Sequence, residues 1–200
     1  MNDSKEICLY FDKNTNYNPV DIAKEICDRY KELGNPLILP SQGGNAPVIV
    51  FQENPEIFLR CNYFTLNFVV NHTYFNKLES IIFDLVDIFE EYKVKFVRIG
   101  YVNNLYYDKD KIEKARLLYL NDRISSDMEE YQVYLYKQLE TKYGMINAWE
   151  RVISEGNKKH ELLMQYDFNS KQEDSIDFNM KYIKEFIKVS NEYIESRSNI

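Results

Sequence analysis

Residues that usually carry chemistry are scarce in this chain. Its 200 residues include two histidines, three cysteines and one tryptophan, with six glycines and five prolines. His72 and His160 stand far apart, and neither belongs to an H-x-x-x-H or H-E-x-x-H pattern, so no helical zinc pair is expected. Cys8, Cys27 and Cys61 are odd in number, widely spaced and free of any C-x-x-C. That excludes a disulfide framework and reads as three buried, reduced thiols. Gly43-Gly44 is not followed by Lys-Ser or Lys-Thr, and neither G-x-G-x-x-G nor G-x-S-x-G occurs, so no phosphate loop or nucleophile elbow is expected. A Cys8 nucleophile would be poor, because burial in an apolar run raises a thiol's pKa. No catalytic residue, metal or cofactor is therefore expected. No run approaches the roughly 20 apolar residues that span a bilayer. Met1 to Glu6 is polar, with no apolar signal-peptide core, so the expected location is cytoplasmic and the sequon Asn71-His72-Thr73 is idle.

What the chain does have is tyrosine and acid. Hydrophobic residues make up 44%, enough for a globular core, and 17 Tyr stand beside 12 Phe. A tyrosine hydroxyl needs a partner or water, so such a composition implies a wet core edge or an adhesive surface. The formal net charge of −7 disfavours direct nucleic-acid binding and anionic membranes, and suits a basic partner.

The pattern predicts an α+β domain over residues 1–200: antiparallel sheet with long amphipathic helices. Two lobes, 1–107 and 108–200, are the alternative. Ile7 to Phe11 reads as a buried strand. Asn18-Pro19 starts a helix carrying Ile22, Ile26, Tyr30 and Leu33, which Gly34 ends. Residues 34–47, with three prolines and Gly43-Gly44, read as a long mobile loop. A meander follows over Val48–Gln52, Ile57–Cys61 and Thr65–Val70. Tyr74 to Tyr92 is the clearest helix, with Leu78, Ile82, Leu85, Phe89 and Tyr92 as its apolar stripe and Lys93 and Lys95 beyond its C-terminal end. Phe96 to Val102 is a strand. Ile112 to Leu120 is expected to be helical. A second helix is expected from the box Ser126-x-x-Glu129 onward, with Met128, Tyr131, Leu135 and Leu139 at helical steps. Tyr131 to Tyr136 also alternates, which leaves a strand open. Met145–Ile153 and Glu161–Phe168 form an antiparallel pair joined by residues 155–159. A helix over about 175–195 closes the chain, with Ile176, Met180, Ile183, Ile187 and Ile194 inward. Strands followed by a long helix occur in residues 48–92 and again in 145–195, which suggests two similar β-meander-plus-helix halves.

The stretch Ile57 to Tyr107, with its strand, long helix and FVRIGYVNN, resembles a sporadically distributed, uncharacterised prokaryotic family. So does Asn147-Ala148-Trp149-Glu150 with Leu163 to Asn169. The resemblance implies an α+β fold and accessory biology of the phage or mobile-element kind. It implies no catalytic residue.

Candidate contact residues follow from composition and spacing. Asp84, Asp87 and Glu91 share one face of the central helix, opposite its apolar stripe, and could meet a basic partner. Tyr101, Tyr106 and Tyr107, and Tyr131, Tyr134 and Tyr136, cluster near Arg98 and Arg116, the composition of protein-contact anchors. From these, Asp84, Asp87, Glu91, Tyr106, Tyr107 and Tyr134 are the predicted partner-binding residues. The expected function is a non-enzymatic protein-binding module, such as a phage-encoded inhibitor of a nucleic-acid-processing host defence enzyme. The alternative is an enzyme or small-ligand binder with its site between two halves. A third reading is an oligomeric structural protein.

Overall fold

The computed structural model describes residues 3–12, 17–40, 48–62, 64–107, 131–154, 162–170 and 178–197. Its centre is one antiparallel sheet of nine strands. In chain order they are β1 (Ser4–Phe11), β2 (Leu37–Leu39), β3 (Val48–Phe51), β4 (Ile57–Cys61), β5 (Thr65–Asn71), β6 (Phe96–Tyr107), β7 (Tyr131–Thr141), β8 (Gly144–Ser154) and β9 (Leu162–Ser170). Across the sheet the order is β2-β3-β4-β5-β1-β6-β9-β8-β7. Three helices complete the described fold: α1 (Pro19–Arg29), α2 (Leu78–Glu91) and α3 (Met180–Arg197). This is an α+β architecture, as expected. None of these helices is long and apolar enough to cross a membrane.

Alternation along the strands sends one set of side chains under the helices. Ile7, Leu9 and Phe11 of β1, Leu66, Phe68 and Val70 of β5, and Met164, Tyr166 and Phe168 of β9 are buried in one cluster with Ile22, Ile26, Leu85, Phe89, Phe186 and Ile187 of the helices. All three helices therefore pack on the same side of the sheet. Local chemistry sets their ends. Asn18 Oδ1 accepts the Val20 amide at 3.1 Å, and Pro19 opens the first turn. Gly34, at φ 76° and ψ −160°, turns the chain after α1 in a region that only glycine enters easily. At the end of α2 the Val94 amide reaches back to the Phe89 carbonyl at 3.0 Å, and Lys93 takes φ 60° to allow it.

The stripe Leu78, Ile82, Leu85 and Phe89 is buried as expected, and Ile81, Val86 and Ile88 widen it. A 3-10 turn, His72–Lys77, precedes α2, so the α-helix proper begins later than the periodicity suggests. The β8–β9 pair forms as expected, and β6 runs on to Tyr107. Two expectations are corrected. Tyr131 to Thr141 is a strand, not a helix: each residue from Tyr131 to Thr141 pairs in unbroken register with β8. Apolar residues at steps of three and four also fit a period of two in so short a run, and sheet pairing decides between them. Residues 34–47 are not all loop, because Leu37–Leu39 pairs with β3 as an edge strand. The expected helix over Ile112–Leu120, the box at Ser126, Ile176, and the turns over 41–47 and 155–159 lie outside the described residues.

Candidate functional site

The second face of the sheet carries no described helix. By alternation it presents Ser4, Glu6, Cys8 and Tyr10 of β1, Arg98, Asn104 and Tyr106 of β6, and Gln165, Asp167 and Asn169 of β9. Arg151 and Trp149 of β8 and Tyr134 and Tyr136 of β7 share that face. Its centre is a polar ladder. Arg98 donates to Asn169 Oδ1 at 2.8 Å, and the Asn169 amide donates to Asp167 Oδ1 at 2.7 Å. Arg151 bridges Asp167 Oδ2 at 3.2 Å and Gln165 Oε1 at 3.0 Å. The Gln165 amide continues to Asn104 Oδ1 at 3.0 Å, and the Asn104 amide to Ser4 Oγ at 3.1 Å. Beside this chain, Asn67 Nδ2 donates to Glu6 Oε1 at 3.2 Å and the Cys8 thiol donates to Asn67 Oδ1 at 3.0 Å. Gly100 sits between Cys8 and Asn169, and a Cβ there would meet Asn169 Oδ1 at 3.3 Å, so the ladder passes close over bare backbone.

Aromatic rings border the ladder. The Arg98 guanidinium lies 5.0 Å from the Tyr10 ring centre, and that of Arg151 lies 5.7 Å from Tyr134. Tyr136 and Trp149 pack with centroids 4.5 Å apart, and the Tyr136 hydroxyl is held by Asn147 Oδ1 at 2.8 Å. Tyr134, Tyr136 and Trp149 remain 55%, 51% and 38% exposed. The face thus combines fixed hydrogen-bonding groups with amphipathic rings. Such groups can dock a partner with little loss of side-chain freedom.

Electrostatics on this face follow burial. Desolvation pushes Glu6 above the ordinary carboxylate value, opposed by the Asn67 hydrogen bond and assisted by Asp167. It pushes the Cys8 thiol up to about 11, and that of Cys61, under the helices, up to about 12. Neither is a ready nucleophile. Among the described residues no group of three or more His, Cys, Asp or Glu could hold a metal ion.

The six predicted contact residues divide among three places. Tyr106 and Tyr134 lie on the helix-free face. Tyr107, the neighbour of Tyr106, points the other way and is 9% exposed within the core. Tyr101 likewise lies under the helices, where its hydroxyl donates to Asn191 Oδ1 at 2.9 Å. Asp84, Asp87 and Glu91 are exposed on α2, on the opposite side of the sheet from Tyr106 and Tyr134. Two of these acids already engage α1 or the turn after it. Asp84 accepts the Tyr30 hydroxyl at 2.5 Å, and Glu91 pairs with Arg29 at 3.4 Å. Sequence reasoning missed the ladder, although Gln165, Asp167 and Asn169 alternate with buried Met164, Tyr166 and Phe168 in plain view.

Beneath the helices one transverse rank of the sheet is polar, running from Glu150 through Tyr166 and Asn103 to Lys5. Glu150 is 1% exposed, and its Oε2 meets Arg197 Nε at 3.2 Å and the Tyr193 hydroxyl at 3.3 Å. Lys5 sits 4.8 Å above the Phe75 ring, and burial lowers its pKa against the opposing pull of Glu79 and Glu195. Protein side chains from α3 and the turn before α2 therefore occupy this rank. No protein-family model matches the chain, and no curated protein matches it.

Proposed function

We propose that the chain is a non-enzymatic protein-binding module that docks its partner on the helix-free face of the sheet. The observation that carries this reading is the pairing of a prearranged Arg-amide-carboxylate ladder with the exposed rings of Tyr134, Tyr136 and Trp149. Tyr, Trp and Arg are the residues most often found as anchors at protein contacts. The fitting partner is basic, because the chain carries −7. A nucleic-acid-processing host enzyme has such a surface in its substrate channel. An acidic protein of phage or mobile-element origin, acting in the cytoplasm, would block it. The same reading treats the sheet as two similar halves. Each begins with a central strand, β1 or β6, and ends in a meander whose last strand returns beside it, followed by α2 or α3.

Anchors and steering separate kinetically. Truncating Tyr106 or Tyr134 to Ala should speed dissociation, at about 2 kcal/mol or roughly 30-fold for an anchor. Reversing Asp84, Asp87 and Glu91 to Lys adds two charge units at each site and takes the net charge from −7 to −1. That variant should associate about tenfold more slowly at low salt and dissociate unchanged, since these charges lie on α2, away from the docking face, and act only through the field that steers the encounter. The experiment is surface-plasmon kinetics on the enzyme captured from the host, with nucleic acid as competitor. Turnover of a nucleotide or metabolite by the purified chain alone would overturn the reading. So would a partner whose dissociation neither tyrosine truncation moves.

A further inference from the structure

Exposed apolar surface is concentrated at the two rims of the sheet. Among the described residues, seven of the nine exposed large hydrophobic side chains are there: Leu37, Ile38 and Leu39 on β2, and Tyr134, Leu135, Tyr136 and Trp149 on β7 and β8. The two rims differ in length. β2 has three residues, whereas β7 has 11 and extends about 37 Å. Among the described residues β7 pairs with β8 on one side only, and its register there runs without a bulge. It contains no proline and only two charges, Lys137 and Glu140. Proteins that stay single blunt such an edge with prolines, bulges or charge. Here those devices are nearly missing.

We propose that a second copy of this chain covers the outer edge of β7, with the two β7 strands antiparallel about a two-fold axis at Tyr136. The strand is its own complement in that register. On the helix-free face Tyr134 meets Gln138 of the second copy, and Gln132 meets Glu140. On the helix side Val133 meets Leu139, and Leu135 lies under the methylene stem of Lys137. No like-charged pair arises, because both charges fall opposite neutral residues. An axis normal to the sheet keeps both sets of helices on one side. The ladders then join into one surface, with the Tyr136–Trp149 pairs of both copies at its middle. Pairing β7 with β2 instead would be heterologous and would propagate without closing. It would also leave most of β7 uncovered.

Sedimentation of the full chain should give a mass twice the 24.0 kDa of one copy. Tyr136→Lys sets two ammonium groups face to face on the axis and should halve that mass. Tyr136 is 51% exposed, so circular dichroism should show unchanged secondary structure, while melting falls and loses its dependence on concentration as the second copy is lost. Register is tested by oxidation. Tyr136→Cys places two sulfurs on directly opposed residues, about 4.5–5.5 Å apart at Cα, within disulfide reach. Gln138→Cys places them four residues out of step, about 13 Å apart, and should not cross-link. The unsubstituted chain, with Cys8, Cys27 and Cys61 in place, is the blank. A single-copy mass at high micromolar concentration would overturn the proposal. So would a dimer that survives Tyr136→Lys, equal cross-linking at both positions, or a different protein captured by a single-copy chain through β7.

Discussion

Burial decides what the ionisable side chains of this protein can do. Cys8 donates to Asn67 in mid-sheet, and its thiol is pushed up to about 11. At pH 8 that leaves roughly a hundredfold less thiolate than a thiol at the ordinary value of 9.0 has. Cys61 is buried and higher still, at about 12, whereas Cys27 is partly exposed on α1 and only raised. Intact-mass analysis after iodoacetamide treatment should show Cys27 alkylated first, and Cys8 and Cys61 only on unfolding. Cys8 reacting as fast as Cys27 would mean that the face opens freely. Glu6 provides a pH handle. Its folded pKa is raised above 4.5, first by desolvation and further by Asp167, so the folded form holds the proton more tightly. Its contribution to stability is full below 4.5 and is lost as pH rises through the folded value. Glu6→Gln keeps an acceptor for Asn67 and removes the half-buried charge. It should therefore melt higher than the unsubstituted chain at pH 7, with the gap closing near pH 4. A gap that widens on acidification would contradict the assigned shift.

At the level of elements, α2 is anchored by a broad buried stripe, with Leu85, Val86, Ile88 and Phe89 all fully buried. Leu85→Ala should cost about 2–5 kcal/mol in denaturant unfolding. Asp84→Ala removes one exposed bond from Tyr30 and should cost about 1 kcal/mol or less. Equal losses would mean that the buried stripe is misplaced. This helix was legible because a period near 3.6 has no competitor across fourteen residues. The strands β4 and β5 were legible because one face is buried and the other wet. The rims were not. Leu37–Leu39 is exposed on both faces and sits among prolines, so it reads as loop. Tyr131 to Leu139 offers rings on one face and Val133, Leu135 and Leu139 on the other, which mimics helical spacing. The contact residues were half legible for the same reason. Clustering in sequence places Tyr106 beside Tyr107, but a strand turns neighbours to opposite faces, and only pairing reveals which one is buried.

Across the whole molecule, strand order joins what the chain keeps apart. β1 lies between β5 and β6 and is the only described strand that links the β2–β5 part of the sheet to the β6–β9 part. The partners of Ser4 are Asn71 on one side and Asn104 on the other. The sheet therefore cannot close until segments about 70 and 100 residues downstream have arrived. Until then the inner edges of β5 and β6 stay bare, and both are apolar on one side. Closing such long loops makes folding slow, on the millisecond-to-second scale typical of non-local sheets. During synthesis β1 waits about 100 residues for its second neighbour, longer than any other described strand, so its β6-facing edge is an open template for wrong pairing while the chain grows.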